Sequence, residues 1–357
     1  MESILSDVRP FGTTLTGEPV LVVHLRKGAL SCEVLTYGAT LRSLLVPDRS
    51  GTPTDIVLGY DSLREYETQD GYLGATIGRF ANRIAKGRFV LDGKTYRVVN
   101  NDGKNHLHGG NCGFSHRIWT IEAVNSHSVS LSLTSEDSEE GYPGNLNTWV
   151  TYTLDDHALT ISYKAISDAN TICNLTNHSY FNLAGHDSGT VLEHEIMINA
   201  THYTPSAADN IPTGTIVPVA DTPMDLRSPT RIGCHLTDDF PQIKQAGGYD
   251  HNFVINGTPG VLRTAATAHN SVSGITMDVE TTLPGVQLYT ANFLDRRIGK
   301  GGCKYGPRHA FCLETQFFPD SPNQAAFPPA FLKANEPYEH TTVFSFSADH
   351  PCPEVLL

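Results

Sequence analysis

Polar and apolar residues alternate along much of this chain, the two-residue period of a half-buried β-strand. In residues 158–166, Leu159, Ile161 and Tyr163 alternate with polar neighbours. Residues 149–154 precede that stretch across Asp155-Asp156-His157, so the two predict a hairpin. A second hairpin is predicted by residues 88–91, Asp92-Gly93 and residues 94–99, because Asp-Gly supplies the positive φ angles that a type I′ turn demands. Residues 128–133, 195–198, 274–283 and 286–289 predict further strands, and 342–347 a strand that closes a sheet near the C-terminus. Helical periodicity is scarce, with one short helix predicted over 61–68. Turns are frequent, marked by 31 Gly and 21 Pro. Many short strands between turns predict an all-β, antiparallel sandwich or barrel. No charge block, low-complexity linker or internal repeat divides the chain, so residues 1–357 are read as one large β-domain.

Composition narrows the partners. The formal net charge of −13 repels phosphate backbones and anionic membrane surfaces, so neither nucleic acid nor membrane is expected as a partner. A neutral small molecule fits this charge without strain. The opening Met1-Glu2-Ser3-Ile4-Leu5-Ser6-Asp7 has no basic and apolar leader pattern, and no apolar run approaches the ~18 residues that would span a bilayer. The seven cysteines form no C-x-x-C pair, so free thiols in a reducing cytoplasm are expected.

Four segments carry candidate chemistry. If residues 174–183 form a strand, one face bears Asn174, Thr176, His178, Tyr180 and Asn182. That face is either a solvated exterior or a polar cleft with His178 as acid or base. In residues 310–318, Phe311, Leu313 and Phe317 read as core, while Ala310, Cys312, Glu314 and Gln316 face the other way. Small neighbours around Glu314 leave room for a ligand, and a desolvated carboxylate is a better base near neutral pH. The alternative is a paired or exposed glutamate. His106-Leu107-His108 would put both rings on one strand face, a possible metal pair, but no glutamate follows in 109–114. The plainer reading has one histidine facing a ligand and the other holding the loop, with no metal. In Tyr249-Asp250-His251-Asn252-Phe253, Asp250 suits hydrogen bonds from neighbouring sugar hydroxyls. No nucleophile elbow, phosphate loop or dinucleotide fingerprint is present, so no cofactor is expected.

These motifs occur in a recognisable order. Gly78-Arg79-Phe80-Ala81-Asn82-Arg83-Ile84, Asn105-x-Leu107-His108-Gly109-Gly110, Asn177-His178-Ser179-Tyr180-Phe181-Asn182-Leu183, Tyr249-Asp250-His251-Asn252-Phe253 and Leu313-Glu314-Thr315-Gln316 follow one another with spacing similar to that of the aldose 1-epimerase (galactose mutarotase) family. The resemblance spans residues 13–346. It implies a large antiparallel β-sandwich of the mutarotase kind with few short helices, and a site in a cleft on one sheet. It implies that Glu314 is the general base and His178 the general acid of an isomerase acting on free aldoses. Asn82, Arg83, His108, Tyr180, Asp250 and Gln287 would line the sugar site. Gln287 lies in Leu283-Pro284-Gly285-Val286-Gln287-Leu288-Tyr289, which also resembles the family pattern. Residues 299–307 look less typical and read as a variable loop near the site. The oligomeric state is expected to be monomer or homodimer. Competing readings are a non-catalytic sugar-binding sandwich, a glycoside hydrolase using Asp250 and Glu314, and a hexose-phosphate epimerase.

Overall fold

A computed structural model describes residues 7–69 and 71–349. Residues 1–6, which belong to the segment read for a leader, lie outside the described residues, as does Cys352. The other six cysteines are free thiols. One nine-stranded sheet and two five-stranded sheets make up the body. Residues 8–55 form a five-stranded sheet in simple sequence order, Val8–Thr13, Pro19–Lys27, Leu30–Leu35, Thr40–Pro47 and Pro53–Asp55.

The largest sheet has nine strands. Their order is Thr120–Val124, Ser128–Ser135, Leu146–Leu154, Ala158–Ser167, Pro337–Ala348, Ile275–Thr281, Arg263–His269, Glu195–Ile198 and Thr230–Arg231. Both predicted hairpins form, Arg88–Leu91 with Lys94–Arg97 and Leu146–Leu154 with Ala158–Ser167. The helix forms over Leu63–Thr68. The C-terminal strand differs from expectation: rather than closing a sheet, it runs through the middle, paired with Ala158–Ser167 on one side and Ile275–Thr281 on the other. Its apolar residues explain the place. Tyr338, Phe344 and Phe346 are buried on one face, at about 1.5–3 kcal/mol per fully buried large side chain. An edge would leave its 12 residues half unpaired.

The second five-stranded sheet has the order Val217–Pro218, Ala200–Thr204, Asp250–Ile255, Gly285–Tyr289 and Cys312–Gln316, all antiparallel. Val286, Leu288, Leu313 and Phe253 turn one face of it into the main core, where they join Val150, Ile161 and Phe344 of the nine-stranded sheet. Side chains on the other face are buried too, and they are polar: Asn252, Gln287, Glu314 and Gln316. Buried polar groups must be paired or be held ready for a ligand, so this face positions the site. Among the described residues no helix is long and apolar enough to cross a membrane.

Candidate active site

Strand pleating explains how distant residues meet. Successive side chains point to opposite faces, and the register places Asn252 opposite Gln287 and Gln287 opposite Glu314. In the next row, Asp250 stands opposite Tyr289 and Tyr289 opposite Cys312. Three strands therefore present Asp250, Gln287 and Glu314 on one face. Ala310 and Cys312 flank Glu314 as small neighbours, packed with Tyr180 and Tyr289. Glu314 is neither exposed nor neutralised by a close partner: it is 2% exposed, and its Oε2 has no hydrogen-bond partner.

Residues 174–183 bring His178 to the cleft in a different way from that expected. Only Thr176–Asn177 is a regular strand, and all ten residues are buried, so the solvated-exterior reading is excluded. The segment runs irregularly through the interior because its amides hold other backbones. Asn174 Nδ2 donates to the carbonyls of Ala81 (3.1 Å) and Phe317 (3.2 Å). Asn182 Nδ2 donates to those of Gly189 and His309, each at 3.0 Å. Between these anchors His178 and Tyr180 face the cleft.

The two histidines of His106-Leu107-His108 part company. His108 has a φ of 51°, which ends the strand after Leu107 and sends its ring away from that of His106. His106 holds the loop, with Nδ1 2.6 Å from the Val99 carbonyl oxygen and Nε2 2.5 Å from the Tyr142 hydroxyl. His108 instead enters the cleft, its ring 5.3 Å from that of His178. Within Gly78–Ile84 the division of labour is similar. Arg79 is buried and donates to the carbonyls of Ser135, Glu136, Pro143 and Gly144, a framework role. Asn82 and Arg83 reach the cleft.

The cleft measures about 400 Å³, and Asn82, Arg83, His108, His178, Tyr180, Asp250 and Glu314 all line it. Gln287 is not part of that lining; its Nε2 donates to Asp250 Oδ1 at 2.7 Å, and its Oε1 accepts from Gln316. Arg83 is held by Nε donating to Asp102 Oδ2 at 2.7 Å. Sequence reasoning missed Tyr72, Phe293 and Arg297 in the lining. Tyr72 and Phe293 sit in loops with no periodicity, and Arg297 in a two-residue strand; nothing in the sequence marked them.

His178 Nε2 lies 3.6 Å from Glu314 Oε1. Burial holds both groups toward their neutral forms. It lowers His178 to about 4, and it raises Glu314 well above the usual carboxylate range, with Asp250 adding to the rise and Arg83 opposing it. Burial likewise raises Asp250, against the pull of Arg83. One proton shared by His178 and Glu314 thus has two placements, carboxylic acid with imidazole or carboxylate with imidazolium.

The ligand atoms of His108, His178 and Glu314 lie within 4.8 Å of one another, near enough for a cation. The donor set fits a sugar better. His108 Nδ1 faces the Asn82 backbone N–H at 3.1 Å. An N–H only donates, so Nδ1 is the acceptor and the proton of the neutral ring sits on Nε2. A metal-ligating histidine has the reverse arrangement, with its outer nitrogen donating. His108 is therefore built to donate a hydrogen bond into the cleft.

Comparison with known proteins identifies the family. The aldose 1-epimerase family profile matches residues 21–345. The chain is 47% identical to galactose mutarotase of Bos taurus, covering 91% of this chain and 93% of the relative. It is 46% identical to galactose mutarotase of Homo sapiens, covering 93% and 95%, and 37% identical to aldose 1-epimerase of Escherichia coli K12, covering 93% and 97%. Among solved structures, an aldose epimerase homologue from C. elegans superposes with a TM-score of 0.84 at 32% identity, covering 92% of this chain and 98% of that one. Galactose 1-epimerase from Lactobacillus acidophilus NCFM also gives 0.84, at 28% identity and covering 96% and 98%. With a profile match over most of its length and relatives at 46–47% identity over more than nine-tenths of the chain, this chain belongs to the aldose 1-epimerase family.

Proposed function

We propose that this chain interconverts the α and β anomers of free hexoses, D-galactose and D-glucose, with Glu314 as general base and His178 as general acid. The observation that carries the residue assignment is the buried carboxylate of Glu314, with Oε2 unpartnered and Oε1 3.6 Å from His178 Nε2. Anomer exchange needs a proton removed from the C1 hydroxyl and another delivered to the ring oxygen. Both oxygens are bonded to the same carbon, so an acid and a base a few ångströms apart match them.

In this mechanism Glu314 takes the C1 hydroxyl proton while His178 protonates the ring oxygen, and the C1–O5 bond breaks to give the open aldehyde. Rotation about C1–C2 presents the other carbonyl face. His178 then takes the C5 hydroxyl proton, Glu314 returns one to the carbonyl oxygen, and the ring closes. Ring opening turns carboxylate and imidazolium into carboxylic acid and imidazole. That is the direction burial favours for both groups. Asn82, Arg83, His108, Tyr180 and Asp250 hold the sugar hydroxyls, and Gln287 orients Asp250. No step needs a redox or group-carrying cofactor. The chain acts as one β-domain, monomeric or homodimeric, in the cytoplasm, where its thiols stay reduced.

Polarimetry of freshly dissolved α-D-galactose, then α-D-glucose, tests the proposal at neutral pH. The expected result is a faster approach to the same equilibrium rotation, which also ranks the two sugars. Folded protein that leaves the spontaneous rate unchanged would overturn it.

A further inference from the structure

Among the lining residues that the mechanism does not use, Tyr72 has the most demanding environment. Its ring stacks on His178 at 5.9 Å and 30°, while Tyr180 stacks on His178 at 5.0 Å and 21°. Tyr72 also meets His108 edge-on at 4.7 Å. Its φ of 58° lies in the left-handed region, an uncommon and costly place for a bulky residue, and such strain persists only where the surroundings enforce it. Those surroundings are the backbone of His178 itself. Gly74 N–H donates to the His178 carbonyl and His178 N–H to the Ala75 carbonyl, each at 2.9 Å. Ala75 N–H in turn donates to the Tyr72 carbonyl at 3.0 Å. The turn is also tight, since a Cβ on Gly74 would stand 2.1 Å from the Leu41 carbonyl oxygen. Tyr72 and His178 are thus built as one unit.

We propose that Tyr72 is a positioning residue for the reaction: with Tyr180 it clamps the imidazole of His178 between two aromatic faces, fixing the ring plane and favouring its protonated form. The negative face of an aromatic quadrupole attracts a cation within about 6 Å of its centroid. Such a clamp offsets the burial that otherwise keeps His178 neutral. Other groups act on the same ring. Glu314 and Asp250 favour the imidazolium, and Arg83 and His108 disfavour it. The Cys312 thiol lies 3.6 Å from Nδ1, and the Tyr289 ring stands edge-on at 6.3 Å. Only the two stacked tyrosines present flat π faces.

The inference rests on His178 being the acid, and the test separates the two. Steady-state mutarotation of galactose is followed across pH for the wild type, Tyr72→Phe, Tyr72→Leu and His178→Asn, with the His178 ring titrated by NMR. Tyr72→Phe keeps the face and is expected to hold kcat within about twofold, whereas Tyr72→Leu removes it and should lower kcat about thirtyfold, the size of a desolvated cation–π contact. KM should move less than kcat, and the His178 titration should shift to lower pH in Tyr72→Leu alone. A merely structural role would leave that titration in place. If Tyr72→Leu fails to fold, Tyr72→Trp takes its place and should titrate at or above the wild-type pH; a fall would overturn the clamp. Wild-type kcat and titration in Tyr72→Leu, or equal loss in Tyr72→Phe, would overturn it too. A near-normal kcat in His178→Asn would instead overturn the acid assignment.

Discussion

Two buried acid–base pairs in this protein are made differently. Lys300 Nζ donates to Asp55 Oδ2 at 2.6 Å, to the Val57 carbonyl at 2.8 Å and to the Arg42 carbonyl at 3.1 Å. Asp55 in turn accepts from the Ser43 hydroxyl and from the Leu44 backbone N–H. Every proton of that ammonium is matched. His178 and Glu314 are more deeply buried, yet they stand 3.6 Å apart and leave a carboxylate oxygen unpartnered. A satisfied network fixes structure, while an unsatisfied one keeps its hydrogen-bonding capacity for a ligand. The contrast predicts that breaking the first pair damages the fold and breaking the second damages only the reaction.

The largest effect is expected at Glu314. Glu314→Gln keeps the shape and removes the proposed base, so kcat should fall by about 10²–10⁴, with galactose binding measured by calorimetry largely retained. Stability should not fall with it. Burial raises the Glu314 carboxyl above its unfolded value. For such an acid the stabilising contribution is present below the unfolded pKa and is lost as pH rises through the folded one. At neutral pH the amide relieves that cost, so the melting temperature should stay level or rise. A variant that loses activity only because it melts early would erase the distinction between the pairs.

Lys300→Met is the complementary break. It leaves the Asp55 carboxylate with only partial compensation in a largely buried setting, at a cost of about 3 kcal/mol. Denaturant titration should show that loss, while kcat per folded molecule stays near wild type. A kcat deficit as large as that of Glu314→Gln would mean that both pairs serve the reaction.

Lys300 also shows where the sequence was legible and where it was not. Residues 299–307 read as a variable loop, and a lysine there carries no sign of burial in its neighbours along the chain. It becomes an anchor only because the loop folds back on the first sheet, bonding to residues some 240 positions away. The strands were readable because alternation is a local property, as in the hairpin of Leu146–Leu154 with Ala158–Ser167. Glu314 was readable for the same reason, since Phe311 and Leu313 fixed which face was core. Residues 174–183 read as a polar cleft wall, which they are, but on the wrong backbone, because Asn174 and Asn182 spend their amides on distant carbonyls. Tyr72 was invisible: its place depends on a left-handed φ and on hydrogen bonds to the backbone of His178.

The smallest expected effect is the most discriminating about how the catalytic pair holds its proton. The proposed mechanism needs one proton on His178 and Glu314 together, and titrations of such a pair belong to both groups. In the free enzyme the acid limb marks entry of a second proton, onto an imidazole that burial lowers to about 4. Falling pH therefore leaves the pair singly protonated well below the ordinary histidine range. The alkaline limb marks loss of the shared proton, and the raised Glu314 carboxyl moves it above the ordinary carboxylate range. Measured as kcat/KM for galactose, activity should change by less than about twofold between pH 6 and pH 5, whereas an unshifted histidine that must be neutral in the free enzyme would lose about eightfold over the same interval. A limb centred near pH 6.5 would show that the imidazole is hydrated rather than buried. The contrast with the fully satisfied Lys300–Asp55 pair would then rest on Glu314 alone.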